Sequence, residues 1–199
     1  MMAHMLGAMR CIVRYIALAL VVAIACAPAR LAGTELQPID APDFTLTDGL
    51  SGQTVRLSAL RGSVVALAFL YTNCPDVCPL TASNFRRSQE LLGRDAAGVI
   101  FMAVSVDPER DTPKATQEFS RAHDLADNWR YLIGGRAQLQ AVWSAYGIAS
   151  SAGSGAAAVV HNDAIYLIDK RGRERALVHS TDGSDLLAKD LRLLLGEPG

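Results

Sequence analysis

The residues of this 199-residue chain best suited to chemistry are two cysteines four positions apart, Cys74 and Cys78, in the run Tyr71-Thr72-Asn73-Cys74-Pro75-Asp76-Val77-Cys78-Pro79. The run follows residues 63–70 (SVVALAFL), an unbroken apolar stretch of strand length, and leads into a segment with helical spacing. Residues four apart on a helix differ by about 40° in direction, so both thiols are expected to face the same way at a helix N-terminus. The partial positive charge of that terminus favours thiolate. Pro75 suits a first turn that does not need its N–H. The expectation is two polarised thiolates beyond the carboxyl end of a strand, where open α/β sheets place their sites. Three chemistries are then open. Soft thiolates hold Cu(I), zinc or an iron–sulfur cluster. A dithiol can cycle with its disulfide. In an oxidising compartment the pair can also be a structural disulfide, although closing so short a loop adds little stability.

A closed tetrahedral zinc site needs more ligands than two cysteines, and the other two, Cys11 and Cys26, fall in the N-terminal leader. Copper(I) accepts lower coordination, so two sulfurs and one imidazole would suffice. His161 stands just before the strand-type run of residues 164–168, where residue type alone favours a structural role. His4 lies in the leader, His123 at a helix end among polar residues, and His179 at the end of the last strand. Asp107, Glu109, Arg110 and Asp111 read as a turn that could be solvated.

The elements that must position these groups alternate. Residues 63–70 and 99–106 read as buried strands, residues 79–93, 114–123 and 136–146 as helices, and residues 130–133 as a short strand. Residues 164–168 and 174–178 read as a hairpin around Lys170-Arg171-Gly172-Arg173, and residues 184–195 as a closing helix capped by Asp182 or Ser184. The order is that of an α/β fold around one central sheet. Half of the residues are hydrophobic and 20% are charged, which excludes a largely disordered chain. A formal net charge of −1 gives no electrostatic footprint for nucleic acid.

Residues 15–27 (YIALALVVAIACA) are apolar or small, follow Arg10 and Arg14, and precede any acidic residue. That is the pattern of a secretory signal, and the run is shorter than the roughly 20 residues a spanning helix needs. Ala23-Ile24-Ala25 forms an A-x-A cleavage site, and with Cys26 it also resembles a bacterial lipobox. The expected division is a signal or anchor over residues 1–27, a tether over 28–42 and a domain over 43–197.

Three blocks, FLYTNCPDVCP (residues 69–79), VSVDPERDTP (104–113) and VVHNDAIYLID (159–169), together resemble the Sco/SenC family in order and spacing. The resemblance runs from about residue 43 to residue 195. It implies a thioredoxin-like α/β fold, with a central mixed sheet flanked by helices and a C-terminal β-hairpin and helix. It also implies a copper metallochaperone, not an enzyme, serving assembly of the dinuclear copper centre of cytochrome c oxidase. By position, Cys74 and Cys78 match the family's copper-ligand cysteines and His161 its histidine ligand. Asp107 matches an acidic residue that influences the metal without binding it, and Asp76 between the cysteines shapes the loop. One departure stands out: Val160 occupies the place of the family's acidic residue before the histidine, after a small-residue run, SSAGSGAAA, where the family has a longer and more polar loop.

The resemblance further implies one copper per chain, as Cu(I) with Cu(II) also permitted by the imidazole. The implied partner is the copper-bearing subunit of the oxidase or another copper chaperone. The implied location is the periplasmic side of a bacterial inner membrane, held by an anchor or lipid, and nothing in the sequence points beyond a monomer. The alternative is a thiol–disulfide oxidoreductase that uses Cys74 and Cys78 to keep partner cysteines reduced. Two features oppose it as the main task. The spacing is C-x₃-C, not C-x-x-C, and the chain has no proline between Pro113 and Pro198 to face the pair.

Overall fold

The structure, a computed structural model, describes residues 30–148 and 163–199. The leader, the small-residue run at 150–158 and His161 lie outside the described residues. The centre of the sheet is β4 (Val64–Leu70), all seven of whose residues are buried. A strand covered on both faces needs apolar residues at consecutive positions, which is why this run shows no alternation. β4 pairs in parallel with β5 (Val99–Ser105), and β5 in parallel with β6 (Trp129–Ile133). The helices α1 (Val77–Leu92) and α2 (Pro113–Ala122) make the two crossovers. α2 starts where the sequence provides a start: Thr112 is its N-cap, with its side chain accepting from the Ala115 N–H, and Pro113 follows at the first turn.

The other side of β4 carries β7 (Ala164–Ile168), antiparallel to it, and β8 (Arg173–His179), antiparallel to β7. α3 (Arg136–Ala145) precedes β7, and α4 (Gly183–Gly196) ends the chain, tied to α1 through Ser88 Oγ on the Ser184 carbonyl at 3.2 Å. Three further strands extend the sheet: β1 (Thr34–Asp40) pairs with β8, while β2 (Thr45–Asp48) pairs with both β6 and β3 (Thr54–Arg56). The full order is β1-β8-β7-β4-β5-β6-β2-β3, a mixed eight-stranded sheet. Among the described residues no helix is long and apolar enough to cross a membrane.

The strands and helices expected from the sequence agree with these within about two residues, but β1, β2 and β3 were not anticipated. β1 lies inside the stretch read as a tether. Almost all of it is exposed, and Pro38 falls within its register shift between Glu35 and Ile39, so neither alternation nor β-propensity marks it. What holds it is specific. Leu31 is buried, and the N–H groups of Ala32 and Gly33 donate to the two carboxylate oxygens of Asp190 on α4, at 2.7 and 2.8 Å. A Cβ on Gly33 would stand 2.6 Å from the Leu177 carbonyl, so only glycine lets the chain approach β8 there.

Candidate metal centre

β4 delivers the chain to Tyr71 at the carboxyl end of the sheet, and the Val106 N–H on the Leu70 carbonyl (2.9 Å) brings the loop after β5 alongside. A tight turn follows, closed by the Cys74 N–H on the Tyr71 carbonyl at 3.3 Å. Cys74 therefore precedes α1 and does not sit on it, whereas Cys78 is the second helical residue. The sequence expectation of two cysteines on one helical face is corrected accordingly. So is the role of Pro75, which lies outside the helix. Pro79 is the proline of the first turn, where the absent N–H costs nothing.

The turn brings the sulfurs together in another way. The first N–H groups of a helix have no partner within it, and a side chain usually supplies one. Asp76 occupies the N-cap position but makes no side-chain capping bond. Instead the Cys78 N–H points to Cys74 Sγ at 3.4 Å. The sulfur of Cys74 caps the helix that carries Cys78.

Electrostatics then divide the pair. Burial pushes the Cys74 thiol up, but hydrogen bonds from the Cys78 thiol, from the N–H groups of Asp76 and Cys78 and from the Tyr71 hydroxyl outweigh it, leaving Cys74 below the ordinary thiol range. Cys78 is fully buried, and burial together with its hydrogen bond to Cys74 raises it well above that range. The expectation of two thiolates becomes an unequal pair, Cys74 shifted toward thiolate and Cys78 away from it. Burial and the neighbouring sulfurs push Tyr71 up to about 12, so its hydroxyl stays protonated and donates. Cys74 and Cys78 are not joined in a disulfide.

The remaining residues singled out by sequence fall as follows. Asp76 is exposed, and its backbone N–H is the group that reaches Cys74. Asp107 is buried, its carboxylate pairs with the Arg110 guanidinium, and its carbonyl accepts the N–H groups of Arg110 and Asp111 at 3.1 and 2.9 Å. The His123 ring packs at a tilt against Phe119, with centroids 4.5 Å apart, and burial lowers its pKa. His179 Nδ1 lies 2.7 Å from the Asp163 carboxylate. His161 is outside the described residues, but topology fixes where the chain re-enters. With Leu67 opposite Tyr166 and the two strands antiparallel, β7 begins, at Ala164, at the end from which β4 leaves the sheet. Among the described residues no three His, Cys, Asp or Glu side chains gather as a metal-ligand set.

Sequence reasoning missed Asp111. Read as part of a solvated turn, it is 3% exposed and is the acceptor at the base of the cysteine loop. Its Oδ1 takes the Thr72 N–H at 2.9 Å and the Thr72 hydroxyl at 2.7 Å, and its Oδ2 takes the Ser105 hydroxyl at 2.6 Å and the Tyr131 hydroxyl at 3.4 Å. Burial raises its pKa against the hydrogen bonds from Ser105 and Thr72, and the Asp107 charge adds to the rise. Two signals were present: a Thr-Pro helix start directly after it, and a lone polar residue, Ser105, closing an apolar strand.

A family model described as SCO1/SenC matches residues 33–196. A curated relative, the SCO1 protein homolog of Bacillus subtilis, is 36% identical over 84 residues, 42% of this chain and 44% of that protein. The match thus spans less than half the length of that relative. Among solved structures, Bradyrhizobium japonicum ScoI with copper bound is similar at a TM-score of 0.69 and 28% identity, covering 78% of this chain and 99% of that one. BsSco, described as a member of the Sco family of cytochrome c oxidase assembly proteins and as having a disulfide switch, is similar at a TM-score of 0.69 and 25% identity, covering 83% and 99%. With the mixed sheet, its flanking helices and the cysteine loop in the place the sequence assigned them, the chain belongs to the SCO1/SenC family and has its thioredoxin-like fold.

Proposed function

We propose that this chain is a copper metallochaperone, binding one Cu(I) through Cys74 and Cys78 with His161 as third ligand, and passing it to the dinuclear copper site of cytochrome c oxidase or of a related cuproprotein. The observation that carries the reading is the sulfur pair itself. Two thiols at the carboxyl end of β4, one the cap of the other's helix, are a soft and preorganised donor set that suits Cu(I). The copper-bound ScoI relative and the assembly role ascribed to the BsSco family support it. Copper is the cargo. It meets the Cys74 thiolate first, and the Cys78 thiol then gives up its proton as the second sulfur binds, so loading releases a proton that the more basic Cys78 takes back on transfer. Asp107 acts through Arg110, which it holds at the rim beside Tyr71, balancing the negative charge of two thiolates on one monovalent ion. The leader, with its A-x-A and lipobox patterns, supports export and tethering at the periplasmic face of the inner membrane. Titration with Cu(I) against a competing chelator tests the reading: one copper per chain, lost in Cys74→Ala and in Cys78→Ala, is expected. Binding that survives either variant would contradict it.

A second reading rests on the asymmetry of the pair. A low-pKa Cys74 beside a buried, protonated Cys78 is the arrangement of an attacking and a resolving thiol. Thiol–disulfide exchange with a partner's cysteines would then require Cys74 and Cys78 but not His161. Reduction of a test disulfide that is lost in Cys74→Ser and kept in His161→Ala would favour it.

A further inference from the structure

We propose that Asp111 is the positioning residue of the metal centre, the group that holds the cysteine loop in the geometry that brings the two sulfurs together. The proposal rests on the copper-binding reading above and adds to it a residue that touches neither cargo nor ligand.

Beyond the bonds that converge on the Cys74 sulfur, the loop between β4 and α1 is tied to the scaffold through Thr72. Asn73, Pro75 and Asp76 are exposed, and the loop's own backbone bond, the Cys74 N–H on the Tyr71 carbonyl, is 3.3 Å long. Against this, Thr72 is clasped at both its N–H and its hydroxyl by a single buried carboxylate oxygen, at 2.9 and 2.7 Å. The other oxygen of that carboxylate is fixed by Ser105 at the end of β5 and by Tyr131 on β6, both fully buried. Asp111 itself cannot drift. Its own N–H is on the Asp107 carbonyl at 2.9 Å, and Thr112 and Pro113 lock the next residues into the start of α2. One side chain thus transmits the rigidity of two central strands and a helix to a segment two residues from Cys74. Groups that orient metal ligands without binding metal typically change affinity 10–100-fold when removed.

The acceptor pattern predicts how substitutions rank. Asp111→Ala leaves the Thr72 N–H, the Thr72 hydroxyl and the Ser105 hydroxyl without their acceptor. Asp111→Asn keeps one oxygen for Thr72 and turns its NH₂ toward Ser105 and Tyr131, whose hydroxyls can rotate to accept. Thr72→Val deletes one of the two clasping donors and leaves the buried carboxylate in place. Asp190→Ala removes another buried carboxylate, the one that binds the N–H groups of Ala32 and Gly33, at a site apart from the loop.

The test measures two properties of the full-length reduced protein and these four variants: Cu(I) affinity by chelator competition, and the equilibrium between the Cys74–Cys78 dithiol and its disulfide in glutathione buffers. Asp111→Ala is expected to lose at least about tenfold in copper affinity, with Asp111→Asn and Thr72→Val in between and Asp190→Ala unchanged. Because a loosened loop favours separated thiols over the disulfide, the couple should become more oxidising in the same rank order. Asp111→Ala that folds with wild-type affinity and wild-type redox equilibrium would overturn the proposal, as would an Asp111→Asn as impaired as the alanine. Should Asp111→Ala fail to fold, Thr72→Val decides by the same two readouts. Wild-type protein that binds no copper would sink the functional reading alone, and the glutathione equilibrium would still test the positioning role.

Discussion

At the scale of single residues, the proposed metal centre is an inequality between two identical side chains. Cys74 caps a helix and receives several donors, while Cys78 is sealed beneath it and keeps its proton. A lowered pKa means that thiolate persists as pH falls. Alkylation of Cys74 by iodoacetamide should therefore persist to lower pH than that of an ordinary thiol, near 8.5. Tyr71→Phe deletes one donor and should move the alkylation profile back toward higher pH, with Cys78 unlabelled throughout. Mass-spectrometric mapping against pH would check this, and preferential labelling of Cys78 would contradict it. The pair was legible in the sequence because two cysteines after a buried strand have few structural uses. The inequality was not, since it depends on where the helix begins. A start at Val77 puts one sulfur inside the helix and makes the other its cap. Asp111 was illegible for a related reason: a carboxylate in a turn looks solvated until the partners that bury it, Thr72, Ser105 and Tyr131, are brought in from three other segments.

At the scale of elements, the buried strands and the amphipathic helices could be read because each carries its periodicity locally. β1 could not. Its residues are mostly exposed, and it exists because β8 offers an edge and Asp190 offers a clasp. Asp190→Ala should therefore cost about 1–3 kcal/mol, from the loss of two hydrogen bonds to its carboxylate, read as a lower urea midpoint at unchanged slope. A midpoint equal to wild type would show that β1 holds without the clasp. Gly33→Ala should destabilise as well, because the new methyl meets the Leu177 carbonyl at 2.6 Å and β1 must shift off β8 to relieve it. Retention of wild-type stability in that variant would place the strand elsewhere.

At the scale of the whole molecule, the proposed cargo, copper, would bind at one end of an eight-stranded mixed sheet. Binding to the folded state alone adds RT ln(1 + [L]/Kd), about 2.7 kcal/mol at a hundredfold excess over Kd. Cu(I) should thus raise the melting temperature of the reduced protein by several degrees and leave that of Cys74→Ser unmoved. An equal shift in both would mean that copper binds elsewhere. His161, the third ligand proposed from family resemblance, is the residue on which the copper site turns. The most direct test is Cu(I) titration of the reduced protein against a competing chelator, beside its His161→Ala variant. One tightly held copper per chain is expected, with an affinity that falls at least about tenfold without the imidazole, as loss of a ligand should cost no less than loss of a group that orients one. Equal affinity in the two proteins would contradict the three-ligand site and leave Cys74 and Cys78 to redox chemistry.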